Sequence, residues 1–322
     1  MKFDDKRLES LNQISLENSR IVLAQPIIFL CGGLVDIRST TSPSIRAALV
    51  AHLHSVRCEL ADKITLAEDF KDWIHDAIYR DLLVFQSDIA HISSLIVIIL
   101  ESAGALTELG LFVKNKSLRN KILVFVSQSH YEESSFISLG PLRHLRGIKE
   151  SSVYAYPWDK TNPILNIKDS LEEMREDILN ALSNQDKTEA FSKDNEGHVS
   201  FVAYEIIKTF RALRLTEIES FLQAIDLNIS REKIKRLLFL LEKFSLISKT
   251  KRGHIDYYHA ISDTKKVEFG GKFDPTRAKL AAQQFYATND SESKRLNVIS
   301  VAYGTNANEG GKITAHAPGE PV

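Results

Sequence analysis

The sequence predicts an α/β protein in which a doubly wound parallel sheet precedes a winged helix-turn-helix domain. The first indication is the alternation of short apolar runs with segments of helical periodicity over residues 21–183, which is typical of consecutive βαβ units. The second is that three of these runs end in glycines or acidic residues, at the sheet edge where such folds bind ligands. The third is the change, after residue 198, to three short helices followed by a β-hairpin.

Length and charge narrow the function classes. The chain has 322 residues, 43% of them hydrophobic, with 41 Lys and Arg against 42 Asp and Glu. The length favours two domains. The near-zero net charge excludes a chain that is basic throughout, so any nucleic-acid contact would need a local basic patch.

Cysteine use and hydropathy predict a cytoplasmic protein. Cys31 and Cys58 are the two cysteines, and their separation fits no metal site, which favours reduced thiols. The N-terminal residues are polar, and the longest apolar runs are shorter than the ~20 residues that a membrane span needs. We therefore expect no secretion signal, no membrane association and no bound metal.

The elements can be assigned in chain order. The α/β part is predicted to hold strands over 27–30, 64–67, 94–100, 121–126 and 151–163, and helices over 42–58, 71–86, 107–115 and 165–183. The second part is predicted to hold helices over 200–213, 216–225 and 230–244, and strands over 246–248 and 255–258. The resulting domain organisation is a lead-in helix over 1–20, the α/β domain over 21–183, a linker over 184–198, the winged helix over 199–265 and a partly flexible extension over 266–322.

Two predicted strand ends carry residues suited to binding a nucleotide or sugar. Gly32 and Gly33 follow the first strand and would let a ligand approach the backbone, although a tight turn is the alternative explanation. Glu68 and Asp69 follow the second strand and could hold ribose hydroxyls. The alternative for this acidic pair is a turn with a helix cap.

A third strand end, after SLIVIIL, leads through small residues into a predicted helix. Backbone N–H groups and the helix N-terminus meet there, which suits a phosphate near Glu101, Ser102 and Gly104. We place Glu108 in the first turn of this helix, facing the crevice. Its carboxylate could attack or stabilise an anomeric carbon with oxocarbenium character. The alternative is that Glu108 only favours the helix N-terminus, as acidic residues do.

Four segments that follow in order across residues 27–146 carry a resemblance to a known family. They are FLCGG, AEDF, ILES with the TELG that follows it, and FISLGPLRHLR. The chain resembles the nucleoside deoxyribosyltransferase-like effector proteins of type II bacterial retrons. Those effectors stand beside a reverse transcriptase and its multicopy single-stranded DNA (msDNA). The likeness in motifs lies in the first half of the chain, and the second half agrees in layout.

The resemblance implies cleavage of an N-glycosidic bond, with the Glu of TELG, Glu108, as the catalytic carboxylate. In deoxyribosyltransferases an Asp precedes this Glu by six residues, whereas Glu101 precedes Glu108 by seven, so ribose binding by Glu101 is an open point. For the effector branch the resemblance implies that NAD is the substrate, with no resident cofactor. The carboxylate would stabilise or trap the ribosyl cation, nicotinamide would leave, and water would complete the hydrolysis.

The basic residues of the second part suggest a partner. Residues 199–260 contain 11 Lys and Arg against 7 Asp and Glu, and the excess lies on the third helix and the hairpin, where a winged helix meets nucleic acid. The candidates are Lys233, Lys235, Arg236, Lys249, Lys251 and Arg252. A solvated face of a protein-binding module is the alternative. The resemblance favours contact with the retron reverse transcriptase and its msDNA or noncoding RNA.

The resulting hypothesis is a toxic effector of anti-phage defence, controlled by the reverse transcriptase–msDNA complex, whose NAD hydrolysis halts the infected cell. Two other functions stay open. A salvage deoxyribosyltransferase would exchange bases without toxicity, and a nucleotide-sensing winged-helix regulator would bind DNA without turnover. The assembly also stays open, between a homo-oligomer and a larger complex with the partner.

Overall fold

The computed structural model describes residues 5–36, 42–73, 78–159, 164 and 166–304. Its strands are β1 (Ile14–Val22), β2 (Ile28–Cys31), β3 (Ile64–Thr65), β4 (Leu95–Ile99), β5 (Ile122–Ser127), β6 (Val153–Tyr156), β7 (Thr188–Ala190), β8 (Ala212–Leu213), β9 (Ile247–Arg252), β10 (Ile255–Ala260) and β11 (Val267–Gly271). Its α-helices are α1 (Lys6–Leu11), α2 (Ile45–Ser55), α3 (Leu82–Ile92), α4 (Ala103–Val113), α5 (Gln128–Glu132), α6 (Arg143–Ile148), α7 (Leu171–Ser183), α8 (Glu196–Phe210), α9 (Leu215–Ala224), α10 (Arg231–Lys243), α11 (Pro275–Thr288) and α12 (Ser293–Gly304).

The centre of the fold is a five-stranded sheet in the order β3-β2-β4-β5-β6, with all neighbours parallel. Successive strand residues point to opposite faces. Phe29 and Ile98 pack into a core with α3, α4 and α8, whereas Leu30 and Val97 pack into a second core with α2 and α7. Helices therefore cover both faces, and the predicted parallel α/β architecture is confirmed.

The order of the strands fixes where a ligand crevice can lie. The chain runs from β2 to β3 on one side and then crosses to β4 on the other side of β2. Connections leave β2 and β4 in opposite directions, which opens a crevice beyond the carboxyl ends of these two strands. The pairing of Cys31 with Ile98 brings those ends side by side.

Two smaller antiparallel sheets complete the fold. One has the order β11-β1-β7, and the other has the order β8-β10-β9. The helices α8, α9 and α10 precede the hairpin of β9 and β10, which is the element order predicted for residues 199–260. The hairpin turns at 253–254, and its Arg252 pairs with Ile255. Side chains of α8 and α10 belong to the same core as those of α3 and α4.

Three expectations about the ends of the two parts require correction. The lead-in helix predicted over 1–20 is helical only from Lys6 to Leu11, and β1 follows. Strand β1 forms because β11 and β7 pair with it on either side, a long-range effect that local propensity does not encode. The predicted linker 184–198 contains β7 and the start of α8. The C-terminal extension, predicted to be partly flexible over 266–322, begins with β11 and continues as α11 and α12 through Gly304, while 305–322 lie outside the described residues.

The helix predicted over 71–86 is also displaced. The structure has a 3-10 segment over Ala67–Trp73 and begins α3 at Leu82, while 74–77 lie outside the described residues. The start of α3 is fixed by Asp81, whose carboxylate accepts a hydrogen bond from the backbone N–H of Val84 at 2.9 Å, as expected for an N-cap residue.

Within the described ranges, no helix combines the length and apolar composition that a membrane crossing requires. In the same ranges, no group of three or more His, Cys, Asp or Glu side chains is arranged to hold a metal ion.

Candidate active site

Glu101, directly after β4, organises the floor of the crevice. Its Oε1 accepts hydrogen bonds from the backbone N–H groups of Gly33 at 2.8 Å and Arg46 at 2.9 Å, and its Oε2 accepts one from Ile45 at 2.6 Å. A carboxylate at the start of α2 stabilises the partial positive charge of the helix N-terminus. Glu101 thus joins the end of β2, the start of α2 and the end of β4. Its predicted contact with ribose stays a prediction.

The two glycines after β2 allow this close packing. A Cβ atom at Gly33 would lie 2.6 Å from Cβ of Ser44, and one at Gly32 would lie 2.9 Å from Cβ of Arg46. Both positions are also within about 3 Å of the Glu101 carboxylate. The close approach at these glycines is therefore made by the protein's own side chains, and a ligand contact there stays a prediction.

The other residues predicted at these strand ends have local roles in the backbone. Ser102 is the N-cap of α4: its hydroxyl accepts from the N–H of Ala105 at 3.1 Å and donates to the Gly32 carbonyl at 3.0 Å. Gly104 is exposed in the first turn of α4. Asp69 accepts a hydrogen bond from the N–H of Leu66 at 3.0 Å, which is the turn-capping role weighed against ribose binding.

Arg46 brings a buried positive charge to the crevice. It is 4% exposed, and its guanidinium donates to the carbonyl oxygens of Gly33 and Leu30 at 2.5 and 3.3 Å. Its remaining nitrogen lies 2.5 Å from Oε1 of Glu68, whose side chain is 47% exposed. Sequence reasoning missed Arg46, because an arginine in the first part of the helix predicted over 42–58 carries no signal that it will turn inward.

Glu108 lies on α4 beside the end of β2. Because Ser102 caps the helix and α4 begins at Ala103, Glu108 stands in the second turn, and its predicted place in the first turn is wrong. Burial raises the pKa of Glu108 to about 7, and the charge of Glu68 acts in the same direction. Hydrogen bonds from the Cys31 thiol and the Gln86 amide, with the charge of Arg46, lower this pKa.

Gln86 of α3 supplies a polar group that sequence reasoning missed. It is 9% exposed, and its Oε1 has no hydrogen-bond partner within the part of the chain that the structure describes. The amide nitrogen is the atom that can donate to the Glu108 carboxylate, which leaves the oxygen as a buried acceptor. Its signal was a polar residue inside the apolar helix LLVFQSDIAHI.

Cys31 is poorly suited to act as a nucleophile. Burial, together with the charge of Glu108, raises the pKa of its thiol well above the usual value. A thiol held protonated is a poor nucleophile, so Cys31 acts as a hydrogen-bond donor to Glu108 and as part of the core.

The six basic candidates do not form one continuous surface. Lys233 donates to Oε1 of Glu196 at 2.7 Å, and Arg236 donates to Oδ2 of Asp88 at 3.1 Å, so both side chains turn toward α8 and α3. Contact of these two residues with nucleic acid stays a prediction, and it would require them to leave their carboxylates. The exposed members are Lys235, Lys249, Lys251 and Arg252.

Comparison with known proteins shows the family to which the chain belongs. The model of the STM3845 retron effector protein family matches residues 42–249. A relative from Escherichia coli, named "Retron Ec73 putative ribosyltransferase/DNA-binding protein", is 24% identical over 291 residues, covering 84% of this chain and 87% of that protein. The correspondingly named retron Ec86 protein of the same organism is 30% identical over 135 residues, covering 39% of each chain. Because the family model matches well over half of the sequence, this chain belongs to the STM3845 retron effector protein family.

Proposed function

We propose that this retron effector cleaves the N-glycosidic bond of NAD or a related nucleotide, with Glu108 as the catalytic carboxylate. The observation that carries the proposal is a partly buried glutamate beside the carboxyl ends of β2 and β4, where desolvation raises its pKa to about 7. Burial strengthens its interaction with a developing positive charge. The names of both relatives, which refer to ribosyl transfer, support the same class of chemistry.

The reaction balances with the residues at hand. The C1′–N1 bond of NAD breaks, its electron pair goes to the nicotinamide nitrogen, and neutral nicotinamide leaves. The Glu108 carboxylate stabilises the cationic C1′ or traps it as an ester. Water then attacks C1′ and loses one proton, which gives ADP-ribose. Because the leaving group departs neutral, no acid is needed to protonate it. The unpaired Gln86 oxygen is suited to accept a hydrogen bond from a ribose hydroxyl.

The direct test is product analysis of the effector co-purified with its retron partners. The protein is incubated with NAD, with NADP and with deoxynucleosides plus a free base, and products are followed by mass spectrometry. We expect nicotinamide and ADP-ribose in equal amounts. Base exchange without hydrolysis would favour the salvage transferase, and no turnover of any substrate would contradict an enzymatic function.

We expect kcat/KM for NAD to rise with pH through a midpoint near 7. The active form of Glu108 is the carboxylate, and burial raises its pKa to about 7, so activity is present above this pH and is lost as pH falls. Well below the midpoint, kcat/KM should fall about tenfold per pH unit. A rate profile from pH 5 to 9 at low NAD measures this, and a flat profile would exclude Glu108 as the titrating group.

We further propose that α9, α10 and the β9–β10 hairpin act as a winged helix-turn-helix that contacts the retron msDNA. Lys249 and Lys251 alternate along β9 with exposed side chains, and Arg252 follows at the turn. Among the ion pairs of the described residues, none involves these three cations, so they are available to phosphates. The names of both relatives include DNA binding, which supports this class of partner.

Reversing the charges of the hairpin should weaken association with the reverse transcriptase–msDNA complex. Changing Lys249, Lys251 and Arg252 to Glu removes phosphate contacts, so recovery in a pull-down should fall by about tenfold or more and depend less on salt. The control reverses three exposed lysines elsewhere, Lys168, Lys193 and Lys272, with the same change in net charge. Equal recovery of both variants at low and high salt would mean that the hairpin is a solvated face.

A further inference from the structure

Helix α10 packs on the segments that carry the candidate site. The ring of Phe244, the residue that follows α10, lies 5.6 Å from that of Phe70. The ring of Phe239, within α10, lies 5.9 Å from that of Tyr79. Phe70 and Tyr79 each contact the ring of Phe85, at 5.9 and 5.0 Å. These five rings form a continuous contact from α10 to the start of α3.

The aromatic contact ends next to the site on both segments. Phe85 directly precedes Gln86, and Phe70 follows Glu68 by two residues. A rigid chain of packed rings transmits a displacement because interiors are close-packed. A shift of α10 would therefore change the positions of both Gln86 and Glu68.

An ion pair also connects α10 with α3. Nε of Arg236 on α10 lies 3.1 Å from Oδ2 of Asp88 on α3, and the Asp88 side chain is 5% exposed. The Arg236 guanidinium also lies 5.8 Å from the centroid of the Tyr79 ring. Burial raises the pKa of Asp88, as does the nearby charge of Glu196, whereas Arg236 favours the carboxylate. A buried carboxylate that loses its counter-charge is strongly destabilised.

Two of the buried polar residues of α3, Gln86 and Asp88, face different neighbours. Gln86 and Asp88 are two positions apart, which corresponds to about 200° around an α-helix. Gln86 reaches Glu108, while Asp88 reaches Arg236. The rotation and depth of α3 set the position of the Gln86 amide, and Arg236 contacts this helix from the side opposite Gln86.

We propose that Arg236 is a positioning residue of the active site, which holds α3 through Asp88 so that Gln86 meets Glu108. The catalytic part of this inference rests on the proposed function. Arg236 thus affects the reaction through its contact with α3. Helix α10 connects the second half of the chain to the crevice.

The test compares Arg236→Gln with Arg231→Gln in the full-length effector. Arg231 is an exposed arginine of the same helix, and its ion pair with Glu219 lies at the surface, so it is a matched control. The first readout, hydrogen exchange of the α3 amides, does not depend on turnover. We expect exchange about tenfold faster or more in Arg236→Gln and unchanged in Arg231→Gln, because loss of the buried ion pair raises the population of locally open states.

The second readout is the pH profile of kcat/KM for NAD. In Arg236→Gln we expect a fall of about tenfold or more and a midpoint at higher pH, because the Gln86 amide no longer favours the Glu108 carboxylate. Arg236→Lys, which keeps the charge, should recover part of both effects. In a Gln86→Leu background, Arg236→Gln should have less than about a twofold further effect, since both changes remove the same contact.

The outcomes separate this inference from the proposed function. Unchanged α3 exchange in Arg236→Gln overturns the positioning role, whether or not NAD is hydrolysed. Faster α3 exchange in Arg236→Gln, in a protein whose wild type hydrolyses no NAD, supports the structural role of Arg236 and contradicts the glycosidase proposal. Fully multiplicative effects with Gln86→Leu overturn the route through Gln86. If Arg236→Gln does not fold, Arg236→Lys and Asp88→Asn probe the same pair with the same readouts.

Discussion

Glu108→Gln should reduce NAD turnover by about 10²- to 10⁴-fold, the usual cost of losing a catalytic carboxylate. Glutamine keeps the shape of the side chain and its hydrogen-bond acceptor toward Cys31, but it cannot stabilise a ribosyl cation or form an ester with it. The measurement is turnover of NAD by wild type and variant in the same partner complex. Activity above about a tenth of the wild-type value would remove Glu108 from the catalytic role.

The stability of the same variant provides the control for folding. Because the pKa of Glu108 is raised from 4.5 to about 7 by burial, the folded state holds this proton more tightly than the unfolded state. The contribution of Glu108 to stability is therefore fully present below about pH 4.5 and is lost as pH rises through 7, by roughly 3 kcal/mol at most. Glutamine does not ionise, so the melting temperature of Glu108→Gln should equal the wild-type value near pH 5 and exceed it by several degrees at pH 8. A variant less stable at pH 8 would indicate a structural role.

Arg295→Ala should destabilise the protein by about 3–5 kcal/mol, the cost of removing one partner from a buried ion network. Arg295 on α12 is fully buried, and it donates to Glu292 at 2.7 Å, to the Ala212 carbonyl at 2.7 Å and to Glu217 at 2.9 Å. Arg7 of α1 meets the same Glu217 at 2.9 Å. Without Arg295, Glu292 keeps only Arg214 and Glu217 keeps only Arg7 as a counter-charge among the residues that the structure describes.

Thermal unfolding followed by circular dichroism measures this effect. A loss of this size corresponds to a fall in melting temperature of roughly 4–8 °C for a chain of 322 residues. Lys294→Ala is the matched control, because Lys294 precedes Arg295 on α12 and is exposed. A fall no larger than that of Lys294→Ala would mean that α12 contributes little to the stability of the fold, contrary to its packing.

The sequence by itself determined the α/β core and the region of the candidate site. Strands β2, β4 and β5 lie within one residue of their predicted positions, because unbroken apolar runs bounded by polar residues are a local signal. Glu108 was singled out by its place after an apolar strand and by the resemblance that the TELG segment carries, although its helix begins one turn earlier than predicted. The order of three helices and a hairpin over 199–260 was also readable from local periodicity.

Only the tertiary structure decided which side chains meet. Strand β1 exists because β11 pairs with it across more than 200 residues of chain, and no local pattern encodes that partner. Sequence reasoning passed over Gln86 and Arg46 and expected Arg236 to contact nucleic acid. Each of the three instead turns inward to an acidic or backbone partner that the fold supplies. The direction of a long polar side chain depends on which charged or polar group the fold places next to it. Because that partner comes from a distant part of the chain, the role of the side chain cannot be read from the local sequence.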